Sequence, residues 1–196
     1  YPNNPTGAVA TKAFYEKLVA WAKTYEVGVV SDLAYGALGY QGYENPSFLS
    51  TPGAKDVGIE FYTFSKTFNM AGWRLAFAAG NDQMIEALNL IQDHLFVGIF
   101  PALQEAGIAA LLDPKSEEAV AQLNATYDSR RDAFVQAAAK IGWQAFPSRG
   151  SFYAWMPVPE GDTSESFADL LLEKVHVAVA PGKGFGPAGD AYVRIG

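Results

Sequence analysis

The chain has 196 residues, 49% hydrophobic and 14% aromatic, enough apolar matter for one good core or two small ones and ordinary for a globular protein. Its 21 acidic residues outweigh 14 basic ones, a formal net charge of −7, so no basic stripe exists to neutralise a nucleic-acid backbone or an anionic membrane, and no apolar run approaches membrane-spanning length. Cysteine is absent and the two histidines, His94 and His176, stand far apart, which excludes a disulfide framework and a histidine or cysteine zinc site; no metal is expected.

Tyr1 to Gly7, YPNNPTG, is rich in turn formers and reads as a loop or strand exit, its two prolines being unable to donate to a ladder. From the capping residue Thr11, Phe14, Leu18, Trp21, Ala22 and Tyr25 recur at helical spacing and predict an amphipathic helix that packs by that face and ends before Gly28. Val27 to Val30 predicts a short strand delivering Asp32 and Tyr35, and Gly36 to Asp56 an irregular loop. Phe61 to Ser65 reads as a buried strand and Arg74 to Ala79 as a further apolar run closed by Gly80, which puts Lys66 at a strand end. Asp82 to Leu95 has a helical pattern, and Pro101 opens another helix through Leu112.

Asp113-Pro114 punctuates the chain, and we expect a domain boundary there, dividing residues 1–113 from 114–196. A long charged helix follows from Ser116 to about Ile141. Short strands are expected near Trp143 to Phe146, Ser151 to Met156, Val175 to Ala180 and Tyr192 to Ile195, with Ser166 to Lys174 helical, which describes a small α+β domain. The run Pro181 to Pro187 is glycine-rich but lacks the Walker spacing and the following Ser or Thr, and reads as a flexible wall.

Lys66 has two readings. A lone lysine ordinarily keeps its ammonium in water and covers apolar surface with its stem; a partly desolvated one is a nucleophile able to form a Schiff base with a carbonyl. Its company favours the second: Thr63 three residues before, Ser65 directly before and Arg74 eight after, past Met70-Ala71-Gly72. Two hydroxyls and a guanidinium suit a phosphate. Asp32, by itself as suited to a turn as to chemistry, also follows a strand end, where ligands bind in open α/β sheets. Arg194, between Val193 and Ile195, needs an anionic partner inside an apolar strand.

From Thr63 to Arg74 the sequence resembles the pyridoxal-phosphate enzymes of the aspartate aminotransferase superfamily, class I and II, whose signature runs serine or threonine, any residue, serine, lysine, then a short apolar loop to arginine. Asn4-Pro5-Thr6-Gly7 is a second landmark of that family, and Ala76 departs from it where relatives often have glycine. The resemblance implies an α/β fold, the C-terminal part of the large cofactor-binding domain with a mostly parallel sheet, followed by the small α+β domain. It implies pyridoxal 5′-phosphate on Lys66, its ring nitrogen paired with a buried Asp32, its phenolic oxygen with Asn4 and Tyr35, its phosphate with Thr63, Ser65 and Arg74, and the substrate carboxylate gripped by Arg194.

The activity so implied is exchange of an amino group between an amino acid and a 2-oxo acid, with Lys66 both anchor and general base; Lys183 is the rival lysine. A β-eliminating lyase is the alternative from the same residues, and a cofactor-sensing regulator a further one from a different class. The runs SKTFNMAGWR and GSFYAW resemble the branch acting on neutral, aromatic or thioether amino acids or on diaminopimelate. A cytoplasmic homodimer is expected. Relatives have an N-terminal half with more sheet strands, a phosphate loop and a ring-stacking aromatic, so the chain is expected to be a fragment, inactive and poorly soluble by itself.

Overall fold

The computed structural model describes all residues from Tyr1 to Gly196. Helix α1 (Lys12–Tyr25) starts where the Thr11 hydroxyl accepts from the Phe14 amide at 3.1 Å, and ends on Glu26 in the left-handed conformation. It buries Tyr15, Val19 and Ala22. The expected face is thus rotated by about one residue: Phe14, Trp21 and Tyr25 are exposed. The reason is tertiary, because Tyr15 and Val19 meet Ala10, Phe48 and Ala54 in one cluster, each fully buried large apolar side chain there contributing about 1.5–3 kcal/mol.

Strand β1 (Val29–Asp32) pairs in parallel with β2 (Gly58–Thr63), and β2 pairs antiparallel with β3 (Ala76–Gly80), giving the order β1-β2-β3. Between β1 and β2 the loop is irregular as expected, apart from a 3₁₀ turn at Phe48–Ser50 and the single-turn helix α2 (Ala54–Val57). The expected strand at Phe61 to Ser65 begins three residues earlier and stops at Thr63. The Thr63 hydroxyl accepts from the Ser65 amide at 3.2 Å and caps a helical turn, α3 (Phe64–Thr67), so Lys66 sits in that turn. Arg74 lies before β3 with φ 54°.

Helices α4 (Asp82–Leu95) and α5 (Pro101–Leu112) have the expected bounds, the first capped by Asn81 accepting from the Met84 amide at 3.1 Å. The long helix α6 (Ser116–Lys140) then leads to a second sheet of β4 (Ala154–Pro157), β5 (Ala180–Pro181) and β6 (Tyr192–Ile195), antiparallel throughout with β6 in the centre. Helix α7 (Ser164–Val175), opened by a Thr163/Ser166 capping box, covers it, and Met156, Val193, Ala138 and Phe167 form its core.

Three expectations in this half are corrected. Trp143 to Phe146 is not a strand: the Trp143 indole N–H donates to the Pro157 carbonyl at 2.7 Å and its ring packs edge-on to Phe167, side-chain anchoring that replaces a ladder. Val175 still belongs to α7, and only Ala180–Pro181 pairs, because His176 in the left-handed conformation ends the helix and turns the chain. Pro181 to Pro187 is wound into a 3₁₀ turn at Gly182–Phe185, with a second at Pro187–Gly189. Gly182 is buried there, and a Cβ on it would come within 2.2 Å of the Gly189 carbonyl and 2.7 Å of the Trp155 ring. No helix is long and apolar enough to cross a membrane.

Candidate functional site

The loops leaving the first sheet meet the start of the second. Tyr40 donates its amide to the Arg149 carbonyl at 3.1 Å, Gly39 and Gly150 form an isolated bridge, and the Asn124 side chain on α6 donates to the Ala37 carbonyl at 2.7 Å. Gly7, with φ 70°, lies where a Cβ would be 2.4 Å from the Ser148 hydroxyl, so the last residue of the Asn4–Gly7 turn must be glycine for this seam to close.

Along the seam Lys66, Tyr35, Phe152, Tyr153, Arg194 and Asn4 come together. The half-buried Lys66 ammonium stands 5.5 Å from the Phe152 ring centroid and 6.0 Å from that of Tyr35, within range of the negative ring faces. Phe152 is held from behind by Tyr127 of α6, stacked at 5.3 Å. The Tyr35 and Tyr153 hydroxyls pair at 3.2 Å, and either can donate. Burial, then that hydrogen bond, push the Tyr35 phenol well above its ordinary value, with the Arg194 charge opposing, so it remains an O–H donor at neutral pH. The Arg194 guanidinium lies 4.4 Å from the Tyr153 ring and donates to the Asn4 side-chain oxygen at 2.7 Å, which leaves the Asn4 amide nitrogen free to donate elsewhere.

The hydroxyls before Lys66 also adjoin: Thr63 donates to Ser65 at 2.9 Å, so the Ser65 O–H is free for an anion. Arg74 is exposed and folded back on its own turn, donating to the Ala71 carbonyl at 3.0 Å; it is not brought to Thr63 or Ser65. Asp32 is exposed rather than buried, accepting from the Ala34 amide at 3.0 Å. Its place explains this. Val30 and Asp32, two apart in β1, lie on the same face of the sheet, and both are exposed there. The rival Lys183 is engaged elsewhere, its ammonium 2.7 Å from Glu165.

The profile of the family described as aminotransferase class I and II matches residues 1–196. The chain belongs to that family. Its relatives include the L-glutamine–4-(methylsulfanyl)-2-oxobutanoate aminotransferase of Bacillus subtilis, 58% identical over 196 residues, all of this chain and 49% of the relative. The LL-diaminopimelate aminotransferase of Moorella thermoacetica is 48% identical over all of this chain and 50% of its own. Among solved structures, substrate-bound BacF from Bacillus subtilis superposes with a TM-score of 0.95 at 48% identity, over all of this chain and 49% of that one. The chain spans about half the length of the curated relatives it matches.

Class I and II aminotransferases are pyridoxal-phosphate enzymes, and the donor set here fits that group: an amine among aromatic faces, a neutral phenol and a free amide N–H for an oxygen, a carboxylate for a ring nitrogen, and an unspent hydroxyl for a phosphate. Sequence reading did not single out Phe152, Tyr153 and Phe185 as site residues. The run GSFYAW, cited only for the branch it resembles, contains the first two.

Proposed function

We propose that this chain carries the reacting centre of an aminotransferase that exchanges an amino group between an amino acid and a 2-oxo acid. The observation that supports it most is the convergence of Lys66, the Tyr35–Tyr153 hydroxyl pair and the Arg194–Asn4 pair on one seam between two sheets. When bound, pyridoxal phosphate supplies an aldehyde and an electron-accepting ring. Lys66 would be the nucleophile toward that aldehyde and, with its amine free, the base that moves the proton at the donor's Cα. Asp32 would hold a proton on the ring nitrogen, Tyr35 and Asn4 would donate to the ring's oxygen, and Thr63 and Ser65, with Arg74 once it leaves the Ala71 carbonyl, would take the phosphate. Arg194 orients the donor by its carboxylate, a charge-assisted contact of about 1.5–3 kcal/mol per bond.

Neutral or thioether amino donors are the substrate class we favour, supported by the activity named for the relative at 58% identity. Those names also favour transfer over elimination. A homodimer belongs to the same reading, supported by the exposed Leu90, Ile91, Leu95, Phe96 and Phe100 along one stretch, and so does the division at residues 113 and 114. Borohydride reduction of the intact holoenzyme followed by peptide mapping tests the centre: the pyridoxyl adduct is expected on Lys66, and an adduct on Lys183 or any other lysine refutes it.

A further inference from the structure

Arg194 carries two aromatic rings on its guanidinium. Its guanidinium carbon lies 4.4 Å from the Tyr153 centroid and 4.9 Å from that of Phe185, a residue of the glycine-rich turn that followed no phosphate-loop pattern. Phe185 is itself supported. Its ring meets Trp155 edge-on at 5.9 Å and 82°, and Trp155 stacks on Tyr192 at 5.3 Å and 13°. Trp155 is the cross-strand partner of Arg194 in the β4–β6 ladder, and Gly182 lets the turn close down on the Trp155 ring, so the turn that bears Phe185 and the strand that bears Arg194 are braced by one indole.

The geometry points to Phe185 and Tyr153 as positioning residues that hold the Arg194 guanidinium as a flat plate, whose only open donors lie in its plane. Two rings pack on the guanidinium and one terminal nitrogen is spent on Asn4, so the remaining N–H groups present an edge, the geometry that takes a carboxylate by two parallel hydrogen bonds. Arginine loses much rotamer freedom when it is fixed in this way; here the rings have fixed it before any ligand arrives, which lowers the cost of binding. Phe185 is 42% exposed, so it is the solvent-side ring, whereas Tyr153 ties the plate to Tyr35 through their paired hydroxyls. This inference rests on reading Arg194 as the carboxylate-binding residue.

The test compares Phe185→Leu, Phe185→Tyr and Arg194→Ala in the intact holoenzyme, with the KM for an amino donor and inhibition by 3-phenylpropionate and its amide as readouts. Phe185→Leu is expected to raise the donor KM and the carboxylate's inhibition constant about tenfold, with kcat within about twofold and the amide unaffected. Phe185→Tyr restores both values, and Phe185→Leu adds no further loss in the Arg194→Ala background. If Phe185→Leu weakens carboxylate and amide alike, or is silent while Arg194→Ala raises the KM, the plate is wrong and the role of Arg194 stands. If Arg194→Ala itself leaves the KM and the carboxylate's inhibition constant unchanged, both fall together.

Discussion

The two sheets each set one cation beside the Tyr35–Tyr153 hydroxyl pair, and they do so in opposite ways. The first sheet brings Lys66 on a short turn after a strand end, where ring faces at 5.5 and 6.0 Å are its neighbours and the ion pairs of the chain join other side chains. The second brings Arg194 inside its central strand, with two rings at 4.4 and 4.9 Å and a hydrogen bond at 2.7 Å. A group that must attack and carry a proton has to keep its lone pair unspent, whereas a group that only grips benefits from being immobilised beforehand.

The buried polar groups differ too: beside the second sheet they are serine hydroxyls such as Ser164, while the first encloses a carboxylate as well. That carboxylate is Glu60, accepting from the Ser31 hydroxyl at 3.0 Å and the Phe48 amide at 2.7 Å.

If chemistry belongs to the first sheet and gripping to the second, Asp32→Asn should reduce kcat about a hundred- to a thousandfold by withdrawing charge that stabilises the transition state, with the donor KM little changed. Steady-state kinetics of the intact enzyme decide it; a variant that changes only KM breaks the distinction. Arg74→Ala comes next, with cofactor affinity reduced roughly ten- to a hundredfold and the KM at saturating cofactor unchanged, as read from absorbance during dialysis. Arg74 now spends a donor on the Ala71 carbonyl, so an effect below this range would mean that it stays there.

The smallest effect sharpens the contrast between cores. Burial pushes the Tyr15 phenol up to about 12, and its hydroxyl is without a hydrogen-bond partner, the adjacent Ser31 being turned to Glu60. Tyr40 and Tyr62, also near the first sheet, are raised by burial as well. A folded-state value above the unfolded one means stability that is fully present below about pH 10 and is lost as pH rises toward 12. Tyr15→Phe should therefore change stability by no more than about 1 kcal/mol at pH 8 and flatten the fall between pH 10 and 12. Urea midpoints at several pH values measure both; an unchanged alkaline slope would show that Tyr15 does not titrate with unfolding.

Much of this was legible in the residues themselves. The bounds of Asp82–Leu95 and Pro101–Leu112 follow from an asparagine cap and a proline at the first helical position, local devices that act within one turn. The Tyr192–Ile195 strand was equally clear, and the Thr63–Ser65–Lys66 triplet and Asn4–Gly7 turn carried the family. What failed locally was whatever depended on a distant neighbour. The buried face of α1 follows from where Phe48 and Ala54 arrive, Trp143 trades a ladder for one indole hydrogen bond to Pro157, and Asp32 is exposed because it lies with Val30 on the open face of β1. The two rings on Arg194 lie 41 and 9 positions from it along the chain, and Asn4 190 positions away. Capping and turn chemistry are written in adjacent residues, but contacts between residues far apart in the chain exist only after the sheets have packed, so the sequence determined the family and the candidate groups and only the tertiary structure decided how each is held.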